Sequence, residues 1–268
     1  MNLSFVISTQ PTRFQAITFN PDFETTVAHL ATLGYDGVEL AVREPAALDL
    51  TRVKRALNAH KLQAPAIGTG QVYVEERLSF TDPDTAVRER AVARVESHIA
   101  LASEFNALVI LGLIRGKLLP AVAPETTRGW LIDALRQVAR GAGAQNVRLA
   151  IEPINRYETD LINSVAEAHE LIDAVGADNL GILFDTFHAN IEEPSMEASL
   201  RACGARLFHV HVADSNRWAP GAGHTDFARI VATLREMQYE RWLSAEILPK
   251  PDTPHAAEQT IKTIKPLI

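Results

Sequence analysis

Residues 148–185 read RLAIEPINRYETDLINSVAEAHELIDAVGADNLGILFD and contain the pattern that decides the fold. Two short, mostly apolar runs, Arg148–Ile151 and Gly181–Phe184, stand at its ends, and such runs are typical of parallel strands buried on both faces. Between them, Ser164–Val175 has the apolar spacing of an amphipathic helix. The stretch therefore predicts one strand–helix–strand unit, with an acidic residue directly after each strand.

The same alternation extends outward over the whole chain. Eight strands are predicted, at Leu3–Ile7, Gly37–Ala41, Gln63–Ile67, Leu108–Leu111, Arg148–Ile151, Gly181–Phe184, Leu207–Val212 and Leu243–Ile247. Eight helices alternate with them, at Asp22–Leu33, Leu50–His60, Pro83–Phe105, Thr126–Ala142, Ser164–Val175, Ser195–Cys203, Thr225–Met237 and Pro254–Ile264. This order favours an α/β fold of the (β/α)8 TIM-barrel type, a closed eight-stranded parallel barrel. The turn Ser8–Gln10 has no glycine, which disfavours a Rossmann fold.

Length, charge and cysteine content restrict the class of protein. The 268 residues are about the length that one such barrel needs, so residues 1–268 are predicted to form a single TIM-barrel domain. The formal net charge of −7 disfavours nucleic acid as a partner, because non-specific binding to a polyanion needs a basic surface. No membrane helix or secretory signal is recognised in the sequence. Cys203 is the only cysteine, which fits a cytoplasmic protein.

Four consecutive strands are predicted to end in a side chain that can bind a metal. These side chains are Glu152, Asp185, His211 and Glu246, spaced by about one strand–helix unit of roughly 30 residues. Because the chemistry of such barrels lies at the C-terminal ends of the strands, the four should converge. Three carboxylates and one imidazole suit a divalent ion, with Mn²⁺ preferred and Mg²⁺ or Co²⁺ as alternatives. One acid at a strand end is often only a helix N-cap, but four in register are harder to explain in that way.

Longer motifs around these residues resemble a known family. IEPINRYETDLI (Ile151–Ile162), FDTFH (Phe184–His188), HVHVADSN (His209–Asn216) and AEI (Ala245–Ile247) are similar to segments of the xylose isomerase-like barrel superfamily, and within it to the D-tagatose/D-psicose 3-epimerase group. The closest resemblance is to 5-keto-L-gluconate epimerases, through IGTGQV (Ile67–Val72), GLIRG (Gly112–Gly116) and SNRWAPGAG (Ser215–Gly223). The resemblance extends across most of the chain.

The resemblance implies an isomerase that inverts the carbon beside a ketone through an enediolate, which a divalent metal stabilises. In this pattern the four strand-end residues hold the metal. Glu152 and Glu246 are also the catalytic pair, one removing a proton and the other returning one on the opposite face. Glu158, His188 and Arg217 are implied to hold the substrate.

Two further arginines bear on the substrate. Arg43 follows the second predicted strand and Arg115 the fourth, both on the catalytic side. A loop arginine is usually solvated, but two on this face could clamp a carboxylate, which the guanidinium fork suits. With the resemblance to 5-keto-L-gluconate epimerases, this favours a ketouronate over a free ketose. His209 should lie one layer below His211 and is interpreted as a hydrogen-bonded core histidine.

Three other functions are considered as alternatives on the basis of the sequence. An aldose–ketose isomerase of the hydroxypyruvate isomerase type would use a similar metal and carboxylate pair. A DNA-repair endonuclease of the superfamily would carry extra histidines, where this chain has Gly68–Gln71 and Gly112–Gly116. A non-catalytic sugar-binding barrel would not need both glutamates. The expected partner is a small ketose or ketouronate, with no nucleic acid and no membrane, and a homo-oligomer (dimer or tetramer) is left open.

Overall fold

The computed structural model describes residues 1–268, apart from the side chain of Phe19. Over these residues the strands are β1 (Asn2–Ser8), β2 (Thr18–Phe19), β3 (Gly37–Ala41), β4 (Ala66–Gly68), β5 (Leu108–Leu111), β6 (Leu149–Ile151), β7 (Leu180–Asp185), β8 (Leu207–His211) and β9 (Trp242–Ala245). The helices are α1 (Phe23–Leu33), α2 (Leu50–Ala59), α3 (Gly70–Glu76), α4 (Thr85–Ser103), α5 (Pro124–Ala144), α6 (Val165–Val175), α7 (Thr186–Glu192), α8 (Met196–Cys203), α9 (Phe227–Glu236) and α10 (Thr253–Ile264).

The strands close into a parallel barrel. Neighbours follow the order β1-β3-β4-β5-β6-β7-β8-β9, and β9 pairs back with β1 through Leu3 and Leu243. The short β2 adds to the outer end of β1, where Ile7 pairs with Thr18. Since every pairing is parallel and the ends meet, the predicted (β/α)8 TIM barrel is confirmed, with each predicted strand in place to within a few residues.

Two helices were not predicted, and both lie at the C-terminal ends of strands. Helix α3 follows β4, and α7 follows β7 directly, with the Asp185 carboxylate accepting a hydrogen bond from the Phe187 backbone N–H at 2.7 Å. Each has only seven residues, too few for a helical period to stand out. They matter because α7 places His188 beside the strand ends.

The two faces of the strands carry different side chains. In β5, Val109 and Leu111 belong to the main core that the helices share, whereas Leu108 and Ile110 belong to a smaller cluster built from strand residues alone. This alternation puts the second pair inside the barrel. The interior therefore holds an apolar cluster from β4 to β8 and a set of buried polar side chains from β1, β3, β8 and β9, which are Ser4, Glu39, His209 and Ser244.

Local signals in the sequence set the helix ends. Helix α6 begins with a capping box, in which the Ser164 hydroxyl and the Glu167 carboxylate each accept a hydrogen bond from the other residue's backbone N–H. It ends at Val175 and is followed by Gly176, whose φ of 72° suits a residue without a side chain. Among the described residues, no helix has both the length and the apolar character needed to cross a membrane.

Candidate active site

Four potential metal ligands meet at one end of the barrel. Asp185 and His211 are the last residues of β7 and β8, while Glu152 and Glu246 directly follow β6 and β9. Because these four strands are consecutive neighbours in the sheet, their ends lie side by side. The structure thus brings together the four residues that the sequence singled out, and each is largely buried.

The gaps between these side chains fit a cation better than a hydrogen bond. The Nδ1 atom of His211 lies 3.7 Å from Glu152 Oε1, 3.8 Å from Asp185 Oδ2 and 3.9 Å from Glu246 Oε2. These distances exceed the hydrogen-bonding range. The atoms Glu152 Oε1, Asp185 Oδ2 and His211 Nδ1 are buried without a hydrogen-bond partner among the described residues. Buried polar atoms are rarely left unpaired, so a converging set of one nitrogen and several carboxylate oxygens fits a divalent ion.

The pKa shifts of Glu246 and His211 also favour a divalent cation in this cluster. Burial raises the pKa of Glu246 to about 8, with His211 opposing the shift and Glu152 reinforcing it. Burial would lower the pKa of His211, but Glu39 and the neighbouring carboxylates outweigh it and raise that pKa well above 6.5. At neutral pH the isolated cluster therefore holds protons on both groups. A divalent cation would take the place of these protons.

His188 faces this cluster from α7. Its Nε2 atom lies 3.8 Å from Asp185 Oδ2 and 3.9 Å from Glu152 Oε1. Its Nδ1 atom accepts a hydrogen bond from the Asn155 side-chain amide at 2.7 Å. Burial lowers the pKa of His188, so the ring is neutral and carries its proton on Nε2. Asn155 was missed in the sequence, although it lies in the same IEPINRYETDLI motif as Glu158.

Arg217 and Glu158 form another part of the cavity wall. The Arg217 guanidinium donates to Glu158 Oε1 at 2.8 Å and to Glu246 Oε2 at 3.3 Å. It also lies over the rings of Phe14 and Phe187, 5.6 and 5.0 Å from their centroids. The structure thus places the three predicted substrate residues Glu158, His188 and Arg217 around one cavity.

Arg115 does not line this cavity, which corrects its predicted role as a carboxylate clamp. Its side chain is fully buried. The guanidinium donates to the backbone carbonyls of Gly112 at 2.9 Å, Leu161 at 3.1 Å and Ile162 at 2.9 Å. A group engaged in this way holds the backbone after β6 in place and has no free face for a substrate.

Arg43 also lies outside the cavity, as far as the described residues define it. Its Nε atom is 3.8 Å from Glu76 Oε1, and about a third of its side chain is exposed. Neither of the two arginines that were predicted to clamp a substrate carboxylate, Arg43 and Arg115, therefore lines the cavity that holds the four potential ligands.

Sequence reasoning also missed Glu39, in the middle of β3. Its buried carboxylate contacts His209 and His211, and it borders the cavity. The available signal was a single acid inside the otherwise apolar strand GVELA (Gly37–Ala41). His209 is hydrogen-bonded to Glu39 and Ser244 inside the barrel, in keeping with its interpretation as a core histidine.

Similar proteins of known sequence identify the family of this barrel. The chain matches the family model described as xylose isomerase-like TIM barrel over residues 27–267. It is 31% identical over 217 residues to L-ribulose 3-epimerase from Methylomonas sp., which covers 80% of this chain and 74% of that protein. It is also 31% identical over 138 residues to 3-dehydro-D-guloside 4-epimerase from Escherichia coli, which covers 50% of this chain and 53% of that protein.

The fold is also similar to a solved structure. D-allulose 3-epimerase from Methylomonas sp., in complex with D-allulose, superposes with a TM-score of 0.84 at 23% identity, covering 100% of this chain and 97% of that one. The sequence relatives are named as sugar epimerases, which confirms the prediction of a carbohydrate isomerase. Together with the match over residues 27–267, these findings show that the chain belongs to the xylose isomerase-like TIM-barrel family.

Proposed function

We propose that this chain is a divalent-metal-dependent epimerase that inverts C3, the carbon beside the ketone, of a free 2-ketose. The placement of Glu152 and Glu246 carries this proposal. They follow β6 and β9, which are separated by β7 and β8, and each brings a carboxylate oxygen to within 3.9 Å of His211 Nδ1. Two carboxylates that enter one cavity from separated strands can reach the two faces of a planar enediolate.

The residues around the cavity fit the metal that this chemistry requires. Glu152, Asp185, His211 and Glu246 would hold Mn²⁺, with Mg²⁺ or Co²⁺ as alternatives, because carboxylate and imidazole ligands suit these ions. A bound divalent cation would withdraw electron density from the ketone and its neighbouring hydroxyl, which acidifies the hydrogen at C3.

The protein's own side chains then move the proton. One of Glu152 and Glu246 removes the C3 proton, the C–H electron pair forms the C2–C3 double bond, and the π pair of the C2 ketone moves onto its oxygen to give the enediolate. The other carboxyl group, in its protonated form, delivers a proton to the opposite face of C3. The C2–C3 π pair forms the new C–H bond, and the oxygen pair re-forms the ketone. One hydrogen at C3 is lost and another is gained, so the product differs from the substrate only in its configuration at C3.

His188, Arg217 and Glu158 orient the substrate for this step. Because Asn155 donates to His188 Nδ1, the Nε2–H of His188 is free to donate to an oxygen of the reacting carbons. The Arg217–Glu158 pair offers both donors and acceptors to hydroxyl groups farther along the sugar. Such fixed contacts hold C3 between the two carboxylates.

The charge around the cavity supports a neutral ketose. Its wall is strongly acidic, with carboxylates from Glu39, Glu152, Glu158 and Glu246. The Arg217 guanidinium is the positively charged group beside these acids, and it already pairs with Glu158 and Glu246. Even with a divalent cation bound, a substrate carboxylate would enter without a free positive partner, which is costly in a buried site. Arg43 and Arg115, the two arginines that would favour a ketouronate, do not line this cavity.

The names of the sequence relatives support the reaction type. The name L-ribulose 3-epimerase describes inversion at C3 of a sugar whose ketone is at C2. The name 3-dehydro-D-guloside 4-epimerase describes inversion at C4 of a sugar whose ketone is at C3. In both substrates the inverted carbon is next to the ketone. The shared step is inversion next to a carbonyl. A 1,2-isomerase would instead move the carbonyl and release an aldose.

A substrate panel with metal control tests the proposal. The protein would be stripped with EDTA, reloaded with Mn²⁺, and incubated with L-ribulose, D-allulose, D-tagatose and 5-keto-L-gluconate, with products identified by NMR. We expect a neutral ketose to give its 3-epimer only after Mn²⁺ is added. An aldose product would identify an isomerase instead. Turnover confined to the ketouronate would refute the charge argument.

A further inference from the structure

A second polar cluster lies inside the barrel, beneath the four potential metal ligands. It is built around Glu39, whose side chain is only 1% exposed. The Glu39 carboxylate accepts hydrogen bonds from His209 Nε2 at 2.8 Å and from His211 Nε2 at 3.1 Å. A carboxylate buried this deeply is tolerated only where charge and hydrogen bonds compensate it. Here both compensating partners are histidines of β8.

The two clusters differ in how closely their atoms approach. In the lower cluster, Glu39 and the two imidazoles are at hydrogen-bonding distance, so protons lie between them. In the upper cluster the facing atoms are 3.7 to 3.9 Å from His211 Nδ1, and Glu152 Oε1, Asp185 Oδ2 and His211 Nδ1 itself have no hydrogen-bond partner. The Glu39 carboxylate and the two Nε2 atoms are therefore already paired with one another, although His209 Nδ1 has no partner among the described residues. The upper cluster, where several facing atoms are unpaired, is the better place for an ion.

His211 belongs to both clusters and joins them. Its Nε2 atom contacts Glu39, and its Nδ1 atom faces the carboxylates of Glu152, Asp185 and Glu246. A neutral imidazole carries one proton. If Nε2 donates that proton to Glu39, the lone pair of Nδ1 is directed at the ion.

We propose that Glu39 is a positioning residue that fixes the tautomer and ring orientation in which His211 presents Nδ1 to the divalent cation. A carboxylate that accepts the second ring N–H of a metal-binding histidine has this effect on the ligand's orientation and basicity. The inference rests on the proposed function, since it requires His211 to bind the ion. Glu39 acts through His211 and needs no contact with the substrate.

The first test is the affinity for Mn²⁺, measured by isothermal titration calorimetry on the full chain. The variant Glu39→Gln keeps the size of the side chain but removes its charge. We expect the Kd for Mn²⁺ to rise about 10- to 100-fold. The matched control is Ser4→Ala, because Ser4 belongs to the same buried polar layer but bonds to Ser244 and not to His211. This control should bind Mn²⁺ as the wild type does.

The second test needs no variant. In the Mg²⁺-loaded wild type labelled with ¹⁵N-histidine, NMR should show His211 protonated on Nε2, with its Nδ1 resonance shifted by the metal. A proton on Nδ1 would overturn the inference, whether or not Glu39→Gln folds.

Equal Mn²⁺ affinity in wild type and Glu39→Gln would also overturn the inference, as would equal losses of affinity in Glu39→Gln and Ser4→Ala. A wild type that binds Mn²⁺ but fails to epimerise any ketose refutes the proposed function alone. A wild type that binds no divalent cation refutes both.

Discussion

Replacing Arg115 with Met is expected to destabilise the protein and to loosen the segment that carries Glu158. Met has a similar length but donates no hydrogen bond. The change would remove the guanidinium donor from the backbone carbonyls of Gly112, Leu161 and Ile162, of which Gly112 and Ile162 also accept from a backbone N–H. Ile162 has a φ of 60°, which is strained for a β-branched residue and persists only where its surroundings hold it. The guanidinium of Arg115 is one such restraint.

The expected change in the free energy of unfolding is the difference between two contributions, the hydrogen bonds of Arg115 and the cost of burying its charge. Three hydrogen bonds from a charged donor contribute about 1.5–3 kcal/mol each, or about 4–9 kcal/mol in all. Burial lowers the pKa of Arg115 to about 10, and this shift corresponds to a cost of about 3 kcal/mol at neutral pH, where both the folded and unfolded states are protonated. The Arg115→Met variant loses the hydrogen bonds and also avoids the cost of burying a charge. The net loss of stability should therefore be about 1–6 kcal/mol.

Urea unfolding followed by circular dichroism measures this loss directly. The matched control is Arg43→Met, because the contact of Arg43 with Glu76 at 3.8 Å, with each side chain about one-third exposed, should contribute less than about 1 kcal/mol. We also expect Arg115→Met to raise KM, because Glu158 loses its fixed position. The reasoning would be refuted if Arg115→Met unfolded at the same urea concentration as the wild type, or if Arg43→Met lost as much stability.

Three further predictions concern the site itself. Glu152→Gln and Glu246→Gln should each lower kcat by at least about 10²–10⁴-fold in steady-state assays while remaining folded, and full turnover by either would exclude a two-base mechanism. Asp185→Ala and His211→Ala should lose Mn²⁺ binding in calorimetry, and retained affinity would place the ion elsewhere. Because the pKa of Glu246 is raised to about 8, Mn²⁺ binding at pH 7 should release protons and tighten as the pH rises towards 8; calorimetry in buffers of different ionisation enthalpy would show no proton release if this is wrong.

The four potential ligands could be predicted because they depend on local information. Glu152, Asp185, His211 and Glu246 each end a recognisable apolar strand, and a closed barrel brings consecutive strand ends together. The predicted order of strands was therefore enough to bring them into one cluster. Their separations and unpaired atoms required the structure.

Glu39 and Arg115 could not be interpreted from the sequence because their partners are distant in the chain. Glu39 contacts His209 and His211, about 170 residues away, across the barrel interior. Arg115 is buried by the return of the segment at Leu161 and Ile162, 46 and 47 residues further on. Without those contacts, a loop arginine after a strand is equally consistent with a solvated side chain and a substrate clamp.

In the proposed mechanism, one carboxylate removes the proton at C3 of a neutral ketose and the other returns a proton, with the help of a divalent ion. The most direct test is incubation of the Mn²⁺-loaded protein with a neutral ketose in D₂O, followed by removal of the metal and NMR of the sugar. We predict that the 3-epimer carries deuterium at C3 and that EDTA-treated protein gives neither epimer nor exchange. Deuterium at C1 with an aldose product, or turnover unaffected by EDTA, would contradict the account.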